Sequence, residues 1–434
     1  MTRLLRRVRV WGARRLLASV AGLALLSPLL ASCGGSAGAS SGPVVLNFYN
    51  FPDPSGAVQT AANDCSARSH GRYRIIYQKL PTSADGQREQ LVRRLAAHDD
   101  TMDILGLDVT WEAEFAEAHW IVPWTGRYKQ EAERGTLPGP LKTAIWKGQL
   151  VAVPYNSNTQ LLWYRNDLVP HPPRTWAQML QVAEHLARQG KPHYIEIQGA
   201  QYEGITVWFN TLVASAGGSI LNASSTAPRL GRPALKALQI MADLAHSPAA
   251  DPSLANQQED QNRLAMEAGT AAFELNYPFV YPSMKADKPQ LFKHFKWTLY
   301  PRVDPSRLAA VTIGGIDLAI SAYSRHRSLA FQAALCLRDR HNQLLAAVEG
   351  GLPPTLESIY AHPTKSFVAE YPFYKEIAYE LRTASVRPKT PAYQNVSIVI
   401  SHLLSPPSGI RPRQTLQAMR AQLVNALQDK GLIP

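Results

Sequence analysis

The chain has 434 residues, 45 of them Lys or Arg against 33 Asp or Glu, for a formal net charge of +12. A single hydrophobic core rarely grows past about 250–300 residues, so two domains are expected. Six arginines fall within the first 32 positions and leave +6 on the remainder, with no arginine-rich stripe; this argues against a nucleic-acid partner and leaves anionic envelope surfaces as the electrostatic neighbour.

Those six, Arg3, Arg6, Arg7, Arg9, Arg14 and Arg15, precede the apolar run "LLASVAGLALLSPLL". The run is short and interrupted by Ser and Pro, which marks an export signal and not a membrane span. "LASC", ending at Cys33, resembles the bacterial lipoprotein box; the resemblance implies cleavage before Cys33 and lipid on its sulfur, the alternative being a buried N-terminal Cys in a soluble protein. "GGSAGASSGP" reads as a flexible tether. Residues 1–32 are thus expected to be a signal peptide and 33–43 a lipidated tether, holding the chain at the extracytoplasmic face of the cell membrane. Cys65 and Cys336 remain, an even pair in an oxidising compartment, so a disulfide is expected there in preference to two buried thiols. No CxxC, HExxH or Cys/His cluster occurs, and neither a metal nor a cofactor is expected.

Beyond the tether, strands and helices alternate, which argues an α/β fold. Strand "VVLNFYN" (44–50) leads to helix "AVQTAANDCSAR", and strand 72–80 to helix 87–98, with Leu91, Val92 and Leu95 on one face. A third strand, 103–107, leads to a helix from Trp111. "QLVAVPY" and "QLLWYR" are strands split by "NSN". In "HPPRTWAQMLQVAEHLARQGKP" the prolines stop the preceding element, Thr175 and Gln178 form a capping box, and Gly190 closes the helix. "HYIEIQG" is a strand, "GITVWFNTLVASAGG" and about 232–246 are helices, and Gly269 stops another helix before a short strand. "KWTLYPRVD" and "VTIGGIDLAISAYS" are strands, 327–341 is a helix carrying Cys336, and the C-terminal region is mostly helical.

In this order, "TMDILGLDVTWEAEFAEAHWIVPW", "GQLVAVPYNSNTQLLWYRNDLVPHPPRTWAQM", "FNTLVASAGGSIL", "RLAMEAGTAAFELNYP", "VTIGGIDLAISAYSRH" and "EGGLPPT" resemble landmarks of the extracellular solute-binding lipoproteins that serve ABC sugar importers. The resemblance covers nearly the whole chain beyond Cys33 and implies the two-lobed periplasmic-binding-protein fold of the maltose-binding class, type II, with a helical C-terminal region. It implies lobe 1 from 44–157 and 303–349, lobe 2 from 158–302 and 350–434, and hinges near 157–160, 300–303 and 350. It further implies a monomeric receptor that closes on a carbohydrate ligand and delivers it to an ABC permease pair with a cytoplasmic ATPase. "LGLDVTWEAEFAEA", "NTQLLWYR", "VWFNTLVASAGGS", "CLRDRHNQ" and "VRPKTPAYQ" are most similar to the mycobacterial trehalose-binding lipoproteins, implying trehalose or a related α-glucoside. Tyr277, where those carry Trp, and the loop "YNFPDPSG" depart from that pattern at places expected to meet sugar.

A sugar offers many hydroxyls and two weakly apolar faces, so its receptor needs charged acceptors, amides and flat rings. Asp108 lies just past a strand end, as a ligand contact or as a helix N-terminal acid favoured by the macrodipole. Trp111 offers a ring, or packs in the core with Phe115 and Ala118. Asn158 enters the second lobe as a ligand contact or a turn residue, and Glu203 carries the same two readings as Asp108. Asn276 and Tyr277 close a strand; Gly314 and Gly315 mark a bulge or a close backbone approach to ligand, and Gly351 with Leu352 a second such loop. Arg387 is the expected guanidinium fork onto vicinal hydroxyls, or a surface Arg before a stiff turn. Trp163, Trp176 and Trp208 are assigned to packing.

Two other readings compete. One keeps the receptor but changes the cargo to an amino sugar, an oligosaccharide or a glycerophosphodiester. The other is a lipid-anchored glycosidase pairing Asp108 with Glu112 or Glu114, but those acids crowd one helix start, whereas glycosidases oppose two carboxyls across the scissile bond.

Overall fold

The alternating stretches fold into two main sheets, beside a small two-stranded one formed by Ile145–Trp146 and Gln149–Leu150. The computed structural model describes residues 42–428; the expected signal, the lipidated Cys33 and all but the end of the tether lie outside the described residues. In chain order the sheet strands are β1 (Val44–Asn50), β2 (Tyr73–Lys79), β3 (Ile104–Asp108), β4 (Val153–Asn158), β5 (Leu161–Arg165), β6 (Tyr194–Glu196), β7 (Ala271–Asn276), β8 (Phe295–Thr298) and β9 (Gly314–Ile320). The helices that matter below are α1 (Ala57–Arg68), α2 (Ala84–Ala96), α3 (Glu112–Glu117), α4 (Pro138–Thr143), α5 (Trp176–Arg188), α6 (Glu203–Ser215), α7 (Arg232–Ala245), α8 (Glu259–Ala268), α9 (Arg327–Leu337), α10 (Arg340–Gly350), α11 (Tyr374–Thr383), α12 (Tyr393–Leu404) and α13 (Pro412–Leu427).

The first sheet has the order β2-β1-β3-β9-β4 and the second β8-β5-β7-β6. β1 pairs in parallel with β2 and β3 through helical crossovers, whereas β9 returns antiparallel between β3 and β4. Each sheet owns a core. Leu46, Phe48, Ile104, Leu107, Val153 and Leu318 meet α1 and α9 in lobe 1; Leu162, Trp208, Phe209, Leu238 and Phe273 meet α12 and α13 in lobe 2. The opposite face of the second sheet is covered by Ile359, Phe367, Phe373 and Ile377 from the helical C-terminal region. The result is a mixed α/β fold of two lobes.

Local chemistry explains the boundaries. Thr175 Oγ1 accepts the Gln178 amide at 3.2 Å to start α5, but Gln178 reaches back to the Arg174 amide at 2.9 Å and not to Thr175, so only half of the expected capping box forms. Gly269, at φ 82°, closes α8 in the left-handed region that side chains avoid. The helix expected over 327–341 breaks at Leu337, because Asp339 accepts the Asn342 amide and caps a new helix, α10.

The second crossover lies further along than 303. Val303, Ala309 and Val311 pack in the core of lobe 2, and the chain enters lobe 1 only between Ile313 and Gly314, where β9 begins. The sequence signal misled here because "KWTLYPRVD" is strand only over Phe295–Thr298; the rest is loop held to the lobe-2 core. The first crossover joins β4 to β5 across residues 159–160, and the third follows α10, where the Ser157 amide donates to Pro353 O at 2.8 Å and the Leu137 amide to Thr355 O at 2.9 Å. A disulfide joins Cys65 of α1 to Cys336 of α9 with Cα atoms 5.9 Å apart.

Candidate functional site

One strand end, one helix start and one extended strap meet between the lobes. Asp108 ends β3 with its side chain about one-fifth exposed; its Oδ1 accepts the Thr110 amide at 3.0 Å and the Thr110 hydroxyl at 2.8 Å, fixing the turn. Glu203 opens α6, where a carboxylate suits the helix dipole. Arg387 lies on the strap between α11 and α12, which is stitched to lobe 2 by the Ser385 amide on Val311 O and the Ile313 amide on Ser385 O. Its Nη1 donates to Glu203 Oε1 at 2.5 Å and its Nη2 to Asp108 Oδ1 at 3.1 Å. One buried guanidinium therefore bridges an acid from each lobe.

Electrostatics follow from that geometry. Burial works against the Arg387 charge, yet Asp108, Tyr393 and Glu203 hold its pKa well above the ordinary value. Burial pushes the Glu203 carboxyl up, with Arg387 and the hydroxyls of Ser397 and Tyr393 pulling back; both hydroxyls donate to it. Glu203 is thus fully used by protein donors, and its work is to hold the fork. Arg387 Nε, in contrast, has no acceptor among the described residues.

The remaining expected residues divide. Asn158 sits opposite Gly314 in register, and a Cβ at Gly314 would lie 3.3 Å from Asn158 Cβ and 4.0 Å from Arg387 Nη2, so these three share one corner of the cleft. Tyr277, half-buried, faces Glu259, Arg387, Asp108 and Glu203; burial first and Glu259 next push its phenol up. Four other expected contacts are engaged by the protein itself in this structure. Trp111 is 4% exposed and stacks on Phe115 in the lobe-1 core, because its place before α3 turns the ring inward. Asn276 is sealed by its own neighbours: its amide donates to Glu259 O and Glu274 Oε1, its side-chain oxygen accepts from the Tyr277 amide, and its carbonyl from Trp163 Nε1. Gly315, at φ 135°, makes the close approach within the sheet, since a Cβ there would be 2.3 Å from Asn156 O. Gly351 makes its close approach to Phe279, whose backbone N and Cα would lie 2.8 Å from an added Cβ. Leu352, half-buried, follows it at the third crossover, its amide donating to Ala346 O.

Sequence reasoning missed Tyr202, Glu259, Tyr393 and Ser397. Glu259 opens α8 as Glu203 opens α6, so an acid at a helix N-terminus was the available signal. Tyr202 packs over Gly204, where an added Cβ would meet its hydroxyl at 2.1 Å, and its phenol is pushed well up by burial and by Glu259. Tyr393 and Ser397 stand one turn apart on α12, a polar pair visible at helical spacing. Neither the Tyr277 hydroxyl nor the Asn158 amide hydrogen-bonds to another described side chain. The cleft thus offers unused donors and acceptors from both lobes around one fixed guanidinium, which suits a polyhydroxylated ligand. Of the acids named in the glycosidase reading, Glu112 is buried in lobe 1 and Glu114 is paired with Arg88.

Comparison with known proteins agrees with this architecture. Residues 78–334 match the family model described as bacterial extracellular solute-binding protein. A probable ABC transporter-binding protein of Deinococcus radiodurans is 24% identical over 326 residues, 72% of this chain and 76% of that one. Among solved structures, maltose-bound MalE3 of T. maritima is 25% identical with a TM-score of 0.80, covering 88% of this chain and 99% of that one. The GacH receptor of Streptomyces glaucescens, solved unliganded and with acarbose, is 18% identical with a TM-score of 0.77, over 90% of this chain and 100% of its own.

Proposed function

The chain belongs to the bacterial extracellular solute-binding proteins, and from that membership we propose that it is the carbohydrate receptor of an ABC importer, trehalose or a related α-glucoside being its cargo. The observation that carries this reading is the Arg387 bridge to Asp108 of lobe 1 and Glu203 of lobe 2, because a ligand seated there touches both lobes and favours their closure. Asp108 and Asn158 would accept and donate to sugar hydroxyls, Arg387 would fork onto vicinal ones, and Tyr277 would offer a ring face and a hydroxyl. Relatives named for maltose and acarbose support the sugar class. The cargo would pass to a permease pair with a cytoplasmic ATPase, and Cys33 would carry the lipid that keeps a monomeric receptor at the membrane.

An amino sugar is the second reading, favoured by charge: Asp108 and Glu259 stand beside Tyr277 with Arg387, in addition to the Glu203 that holds Arg387. Calorimetric titration with trehalose, maltose, chitobiose, glucosamine and glycerophosphocholine separates the two. Saturable heat with trehalose, lost in Asp108→Ala and Arg387→Ala, is the expected result. Heat with glucosamine or chitobiose alone moves the cargo to amino sugars, and no heat with any member overturns the receptor reading of this cleft.

A further inference from the structure

The strap that carries Arg387 makes a second reach across the lobes. Two residues on, the Lys389 ammonium donates to Lys142 O at 2.6 Å and to Ile145 O, the backbone carbonyls at the end of α4 and just beyond it in lobe 1. Further along, Gln394 Nε2 meets Asp85 Oδ1 of α2 at 3.0 Å. Facing Lys389 from inside lobe 1 are two buried carboxyls, Glu112 of α3 and Asp317 of β9. Both Glu112 oxygens and Asp317 Oδ1 lack a hydrogen-bond partner among the described residues, while Asp317 Oδ2 accepts the Thr143 hydroxyl at 2.9 Å. Two carboxylates with so few donors do not both stay charged in a dry core; one shared proton relieves the repulsion. The other charges facing this pair are Asp108 at the end of β3 and Arg338 beyond α9.

We propose that Lys389 is a positioning residue for ligand capture, fastening the lobe-2 strap onto lobe 1 in the closed form and there compensating the Glu112–Asp317 pair, so that closure releases a proton. The proposal rests on the receptor reading of the cleft. The sign follows from the charges. Burial raises both carboxyls, Asp317 to about 7, and Lys389 pulls both down. When the lobes part and Lys389 withdraws, the pair holds its proton more tightly. The open form therefore binds more protons, and closure strengthens as pH rises.

The test compares the wild type with Lys389→Met, Lys389→Arg and Glu112→Gln. Sugar affinity is measured by calorimetry between about pH 6 and about pH 8, and lobe closure by small-angle scattering of the unliganded protein over the same range. The wild type should bind up to about ten-fold more tightly at the upper end, and its scattering should shift toward the compact form. Lys389→Met should weaken binding and flatten both profiles; Lys389→Arg should retain the slope; Glu112→Gln should remove the slope yet still bind. Equal slopes in the wild type and in folded Lys389→Met, or a slope that survives in Glu112→Gln, overturn the proposal. If no sugar binds, the receptor reading fails on its own, and the scattering profiles still decide the latch.

Discussion

At the scale of single side chains the cleft is organised by what is already satisfied. Glu203 accepts from Arg387, Tyr393 and Ser397, so it spends its lone pairs on the protein. Glu203→Gln should therefore weaken every bound sugar alike, by roughly ten-fold, as the guanidinium loses one of its two anchors. Tyr277→Phe should behave differently. Its hydroxyl has no hydrogen-bond partner among the described residues, so loss of about 1 kcal/mol should fall on the one sugar that reaches it and change the ranking across the panel. Equal losses for both variants, measured by the same titrations, would contradict this division. Asp108, Glu203 and Arg387 were legible because an acid at an element end and an Arg before a stiff turn carry position as well as charge. Trp111 and Asn276 were not, because a one-dimensional pattern does not say whether a ring turns inward or whether neighbours have already used an amide.

At the scale of elements, the βα alternation and the cores were readable from periodicity, while the second hinge was displaced because a loop packed on a core carries the same apolar residues as a strand. The pairing of β6 with β7 has a consequence invisible in sequence. It places Glu196 beside Glu274 in register, both buried. Burial pushes Glu196 up to about 9, with Asp251 adding and Gln257 opposing, and Glu274 up to about 8 against Asn276. Between the ordinary carboxylate range and these values the folded chain binds more protons than the unfolded one, so stability falls as pH rises. Thermal unfolding should show a midpoint that drops from about pH 5 to about pH 9, with on the order of 5 kcal/mol at stake per acid. Glu274→Gln, which keeps the Asn276 contact without a proton to lose, should shrink that drop. A midpoint that rises over the same interval would show that these acids are charged in the fold.

At the scale of the whole molecule, lobe 1 is sewn from distant parts of the chain: β1 to β4 come before lobe 2 and β9 with α9 after it. The Cys65–Cys336 disulfide spans a sequence separation of 271 residues and encloses the lobe-2 strands β5 to β8 within its loop, while α12 and α13 of that lobe lie beyond it. Cross-linking so long a loop restricts the unfolded chain far more than it restrains the folded one, for a stabilisation of about 2–5 kcal/mol. The double variant Cys65→Ala/Cys336→Ala should therefore lower the unfolding free energy extrapolated from urea titration by that much while leaving sugar affinity within about two-fold, since α1 and α9 contribute none of the cleft residues. Saturating sugar supplies the control. A ligand that binds only the folded form adds about 2.7 kcal/mol at a hundred times its dissociation constant, whatever the unfolded chain is doing. An equal gain with and without the cross-link would place the disulfide's effect in the unfolded ensemble. A smaller gain in the variant would mean that the cross-link also sets the angle at which lobe 1 presents Asp108, and that the staple and the cleft are one mechanical system.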